Sequence, residues 1–157
     1  YAEEREKDHW KVDTLLDTDL EILIPDDYVN KVDERLKLYQ ELDQLKNEQE
    51  LRAFAQQLED RFGPLPERVE ELLNSMRLRW LGAEIGFEKI VMKQERLLCY
   101  FPADQESPYF KSDNFNRVLA YLGSQKATQM KERNGKLYLS KQKVSQIKDA
   151  LLELQKI

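Results

Sequence analysis

One cysteine and one histidine stand among the 157 residues, and that scarcity removes several chemistries at once. Cys99 on its own rules out an intrachain disulfide and fits a reducing, cytoplasmic setting. With His9 the only imidazole, the common zinc arrangements are excluded too, because they draw mainly on Cys and His. The five glycines, Gly63, Gly82, Gly86, Gly123 and Gly135, are scattered. No glycine-rich phosphate loop forms from them, and the Gly135-Lys136 pair reads as part of a hairpin turn. No apolar run approaches the roughly 18 residues that cross a membrane. The opening YAEEREKDHW is acidic and polar, unlike a signal peptide. The chain starts at Tyr1 rather than Met and is expected to be a piece of a longer protein.

Positive charge is also in deficit. Lys and Arg number 25 against 30 Asp and Glu, for a net charge of −5. Phosphate neutralisation supplies most nucleic-acid affinity, so nucleic acid is not the expected partner of this chain alone. The most basic regions, Lys89–Arg96 and Lys126–Lys143, read as solvated strand and helix edges. What the chain does have is a hydrophobic fraction of 41% beside a charged fraction of 35%, enough to bury a core under a charged surface.

Residues 1–17 mix charges with Trp10, Val12, Leu15 and Leu16 without a sustained period, and are expected to form an arm or linker from an upstream region. A single domain is expected over 18–157, divided at residue 86. In its first part Leu20, Ile22 and Ile24 alternate as in a short strand that Pro25 ends. Three helices follow. The first carries the stripe Val32, Leu36, Tyr39 and Leu42. The second starts at Asn47, with Glu50 three residues on in a capping-box spacing, and carries Leu51, Phe54, Leu58 and Phe62 before Gly63. The third starts at Pro66 and carries Val69, Leu72, Leu73, Met76, Trp80 and Ala83, with Gly86 to close it.

In the second part, 87–157, two β-rich runs around Phe87–Lys93 and Arg96–Phe101 form a hairpin. A helix from Asp113 follows, with Phe115, Val118, Leu119 and Leu122 on one stripe. Asn134-Gly135 then marks a second hairpin, and Val144, Ile147, Leu151 and Leu154 stripe a terminal helix. The fold class predicted is α+β: helices followed by a ββαββα unit, a two-layer α/β sandwich with a four-stranded, largely antiparallel sheet.

Catalytic constellations are missing from this pattern. His9 lies in the polar arm, and Cys99 sits within LLCYF, where a small buried hydrophobe is the default. Glu67, Glu70 and Glu71 lie on the polar face of a helix. No catalytic residue, cofactor or metal is therefore expected. The tyrosines read mostly as core residues. RNA-recognition modules run βαββαβ rather than ββαββα, which argues against base stacking on this sheet. Two rival readings remain open: a nucleic-acid-binding accessory domain of a DNA repair helicase using the two basic regions, and an enzyme with carboxylates around Cys99 or His9.

Four ordered segments, LEILIPDDYV, VDERLKLYQEL, LEDRFGPLPERVEELL and MRLRWLGAEIGFEKI, carry a family resemblance. Within them stand Ile24-Pro25-Asp26-Asp27-Tyr28, Arg35 to Tyr39, Asp60-Arg61-Phe62-Gly63, and Leu78-Arg79 leading to Gly86. Over about residues 20–90 the chain resembles the C-terminal domain of the bacterial transcription-repair coupling factor family (Mfd). The resemblance implies a non-catalytic regulatory domain of an ATP-driven DNA translocase acting in nucleotide excision repair, with the motor motifs outside this chain. It implies autoinhibition by docking on an N-terminal UvrB-like module, masking UvrA binding, and an indirect link to stalled RNA polymerase. No membrane partner is implied. Docking candidates are Asp60 and Arg61, at the end of the second helix beside the stiff Gly63-Pro64-Leu65-Pro66 corner, and Gln57 one turn earlier on the same side. The alternative for these residues is local pairing or hydration, worth about 0.3–0.5 kcal/mol.

Overall fold

Strand β1 (Leu15–Thr18) opens the part of the chain that the computed structural model describes, residues 13–157. The rest of the arm, His9 included, lies outside the described residues. Helices α1 (Val32–Gln44), α2 (Glu48–Phe62) and α3 (Glu67–Ile85) follow, then β2 (Lys89–Lys93) and β3 (Arg96–Tyr100). A 3-10 turn at Pro108–Lys111 leads into α4 (Asp113–Ser124), then β4 (Thr128–Arg133), β5 (Lys136–Gln142) and α5 (Ile147–Leu154). The class is α+β, with one correction: the sheet has five strands, ordered β1-β2-β3-β5-β4, rather than four.

The added strand is β1, and it pairs parallel to β2 while every other pairing is antiparallel. The strand expected at Leu20–Ile24 does not form. The alternation there survives as burial, with Ile24 inside and Leu23 out. The Ile24 backbone N–H goes instead to the Tyr39 hydroxyl at 2.7 Å. A period of two is thus satisfied by a side-chain hydroxyl without a neighbouring strand. β1 also straddles residue 17, where the arm was expected to end.

The chain divides into two compact units, one made of Leu78–Ile157 with the segment ending at Leu20, the other of Glu21–Arg77. In the latter, Ile24, Val29, Leu38, Leu42, Leu51, Phe54, Leu58, Val69, Leu72, Leu73 and Met76 form the core. The stripe on α1 needs correction: Val32 and Leu36 are exposed at 61% and 57%, and Leu38 and Leu42 are the buried pair. At the start of α2 the Asn47 side chain accepts from the Glu50 N–H at 2.9 Å, and the Glu50 carboxylate accepts from the Lys46 N–H at 3.0 Å. The capping box therefore closes one residue earlier than the standard pattern, and still satisfies two donors at the helix start.

In the sheet unit both hairpins turn through paired positive φ angles, 55° and 59° at Gln94 and Glu95, 53° and 76° at Asn134 and Gly135. These are the signs a type I′ turn needs to match strand twist. One face of the sheet is packed: Ile90, Met92, Leu97, Cys99 and Leu139 are all at most 3% exposed. Val118 and Tyr121 of α4 and Ile147, Ala150 and Leu154 of α5 supply buried residues to the same unit. Gly82 on α3 approaches so closely that an added Cβ would lie 2.8 Å from Ile90 and 3.2 Å from Thr14. That contact gives a packing reason for Gly82, which has no turn or cap role in the sequence.

Candidate docking site

The corner after α2 is assembled by local chemistry and then braced. Gly63 adopts φ 94°, a conformation open to glycine at little cost, and its N–H bonds the Glu59 carbonyl at 2.9 Å. The Tyr28 hydroxyl donates to the Gly63 carbonyl at 2.8 Å and lies 3.2 Å from the Leu58 carbonyl. The Tyr28 ring sits 5.7 Å from the Phe62 ring. Burial, and then the nearby Glu59 carboxylate, raise the Tyr28 pKa above its ordinary value, so the hydroxyl keeps its proton and remains a donor. On the far side of the corner Pro66 accepts from the N–H groups of Val69 and Glu70 at 3.0 and 3.1 Å, opening α3.

Gln57, Asp60 and Arg61 are all exposed and lie on one turn of α2, three and four residues apart. The local partners differ from a simple Asp60–Arg61 pair. Asp60 accepts from the Gln56 side-chain amide at 3.0 Å. The Arg61 guanidinium lies over the Phe62 ring at 4.7 Å, a cation–π contact. The donors of Arg61 therefore point to solvent from a supported plane, and Asp60 is held by a neutral group. Sequence reasoning missed Tyr28 and Gln56 as supports. Tyr28 was legible only as a motif letter, since its target is a carbonyl 35 residues away. Gln56 was legible by its four-residue spacing to Asp60.

The other candidates fall differently. Cys99 is 1% exposed in the sheet core, and burial pushes its thiol pKa far up, which suits a packed hydrophobe and not a nucleophile. Among the described residues, no cluster of three His, Cys, Asp or Glu is arranged to hold a metal, and no helix is long and apolar enough to cross a membrane.

Fold and site define an α+β domain, one helical unit and one mixed-sheet unit, whose candidate surface offers hydrogen-bonding and charged groups on a rigid corner. The chain belongs to the TRCF domain family, whose profile matches residues 18–112. It is similar to the transcription-repair-coupling factor of Escherichia coli, with 38% identity over 68 residues, 43% of this chain and 6% of that protein. The corresponding factor of Rickettsia prowazekii is 25% identical over 123 residues, 78% of this chain and 10% of the relative. The chain thus spans a tenth or less of the length of these curated relatives. A crystal structure of the C-terminal domain of transcription-repair coupling factor has the same fold. It superposes with a TM-score of 0.73 at 18% identity, over 92% of this chain and 88% of the other.

Proposed function

We propose that this chain is a non-catalytic regulatory domain of a transcription-repair coupling factor. It docks reversibly on the UvrB-like N-terminal module of its own protein and masks the surface that UvrA would bind. The observation that carries this reading is the exposed turn Gln57–Asp60–Arg61 on a corner held by Tyr28, Phe62 and Gly63. A contact that must release works best with polar groups already fixed in direction, so that little side-chain entropy is lost on docking. Arg61, resting on a ring face, keeps its planar fork free for a carboxylate, which it can bind through two parallel hydrogen bonds. Asp60 exchanges a neutral amide for a cation on docking and gains charge-assisted strength. Surrounding charges then tune the rate of association. In the full-length factor this contact restrains the motor, and its loss exposes UvrA binding.

The test is charge reversal in the full-length factor, Asp60→Arg with Arg61→Glu. UvrA binding and basal ATPase should both rise, while the thermal midpoint of the isolated domain should hardly move, because both residues are exposed. If binding and ATPase both stay at wild-type levels, these residues are not the lock.

A further inference from the structure

The sheet has a second face, and its composition contradicts the acidic balance of the chain. Register places Leu15, Lys89, Tyr100, Tyr138 and Lys131 in one row across β1, β2, β3, β5 and β4. This row alternates with the packed row of Ile90, Cys99 and Leu139, so it belongs to the opposite face. The same alternation puts Lys93, Arg96, Arg133 and Lys136 on that face. Six cations therefore share it. Asp17 of β1 is the one acid its strands supply, and it is paired with Lys93 at 3.0 Å. Among the described residues no carboxylate pairs with the other five. A chain of net charge −5 thus places six of its 25 Lys and Arg residues on one sheet face.

The aromatic content of this face is equally specific. Tyr100 and Tyr138 lie here with ring centroids 5.1 Å apart and planes at 34°. Leu15 ends the row at 65% exposure. Beside Tyr100 a cavity of about 400 Å³ opens, with Lys89, Arg133 and Lys136 in its wall, Asn134 at the turn and Glu88 as its single acid. A ring bordered by three cations in an open cavity offers what one nucleotide needs, a stacking surface beside phosphate ligands.

We propose that this face binds single-stranded nucleic acid. The backbone runs across the strands from Lys89 towards Lys131, about 14 Å over three strand spacings, and an unstacked base enters the cavity against Tyr100. An acidic peptide would satisfy the cations but gives the tyrosine pair nothing to stack. A duplex hides its base faces and cannot use the ring at all. The reading revises the expectation drawn from net charge, because affinity follows the local potential of a face and not the sum over the chain. It is independent of the docking proposal, which rests on residues of the other compact unit.

The experiment is fluorescence anisotropy of a fluorescein-labelled dT20 oligonucleotide titrated with the 157-residue chain. Binding is expected in 50 mM KCl and should weaken about 50-fold at 200 mM if four phosphates are neutralised. The pair Arg133→Glu and Lys136→Glu should lower affinity at least tenfold and flatten the salt dependence. Tyr100→Leu with Tyr138→Leu should lower affinity about tenfold at unchanged salt dependence, and Tyr→Phe at both positions should restore it. Melting curves of each variant confirm folding, and a chain lacking residues 1–12 reports any effect of the arm on the same titration. No binding at 50 mM KCl overturns the proposal. So does equal affinity for a 20-base-pair duplex, for polyglutamate, or for dT20 with the leucine variant, each of which marks a general polyanion surface.

Discussion

At the residue scale, the positions that matter most are those where a single atom decides whether the backbone fits. Gly86 is the clearest. It turns the chain out of α3 at φ 114°, and an added Cβ would lie 2.1 Å from the Tyr109 ring, which is itself fully buried. The sequence identifies Gly86 as a helix-closing glycine, and the structure adds the close approach. Gly86→Ala should destabilise by about 1–3 kcal/mol for the strained backbone and a further 1–3 kcal/mol or so for overpacking against Tyr109. Urea unfolding of the variant checks it, and an unchanged midpoint would mean that the ring moves aside freely. By contrast an added Cβ at Gly63 meets nothing within 4 Å, so only its positive φ penalises substitution there. Asp60 and Arg61 are exposed, so under the proposed docking role their substitution is expected to change docking and hardly to change stability.

At the element scale, the helices show how far a periodic pattern reaches. The stripe on α2 was legible because Leu51, Phe54 and Leu58 are the only large apolar residues of its first three turns, and all are at most 5% exposed. On α1 five apolar or aromatic residues, Val32, Leu36, Leu38, Tyr39 and Leu42, fit two faces of one helix. Spacing alone could not choose between them. The choice fell to the face that offers Leu38 and Leu42 to the core and the Tyr39 hydroxyl to Ile24. Leu38→Ala should therefore cost about 2–5 kcal/mol, and Leu36→Ala less than about 0.5 kcal/mol. Chemical denaturation of the two variants side by side measures the difference, and the reverse order would restore the face suggested by sequence. The four-residue β1 was missed for a different reason. Its partner β2 lies some 70 residues downstream in a parallel pairing, and no local signal announces such a contact.

At the scale of the whole molecule, a buried polar network ties elements of the sheet unit together. Glu153 of α5 is 5% exposed and accepts from the Tyr121 hydroxyl of α4, from Lys141 of β5 at 2.6 Å and from Lys156 at 3.0 Å. Tyr121 also bonds Thr128 of β4 at 2.9 Å. Burial pushes the Glu153 pKa up, but its hydrogen bonds to Lys141, Tyr121 and Lys156 outweigh that and lower it from 4.5 to about 2. A folded-state pKa below the unfolded one means stability that is full above pH 4.5 and lost as pH falls towards 2. The contribution is on the order of 3 kcal/mol. Thermal melts from pH 7 to 2 should show a steep fall below pH 4.5 that is much shallower in Glu153→Gln. Parallel curves would assign the acid sensitivity to other carboxylates.

What the sequence determined by itself was specified within a few residues: the stripe on α2, the glycines that end α2 and α3, the hairpins with their Asn-Gly turn, and the motif run shared with the TRCF domain family. The corner residues Gln57, Asp60 and Arg61 belong to that legible set, since three- and four-residue spacing is enough to put them on one turn. Only the tertiary structure decided which side of α1 is buried, that Leu15–Thr18 is a strand, that Tyr28 braces Gly63, and that six cations and two tyrosines share one sheet face. The physical reason is common to all four. Each depends on pairing between residues far apart in the chain, and sheet register, unlike helix periodicity, is written in two distant segments at once.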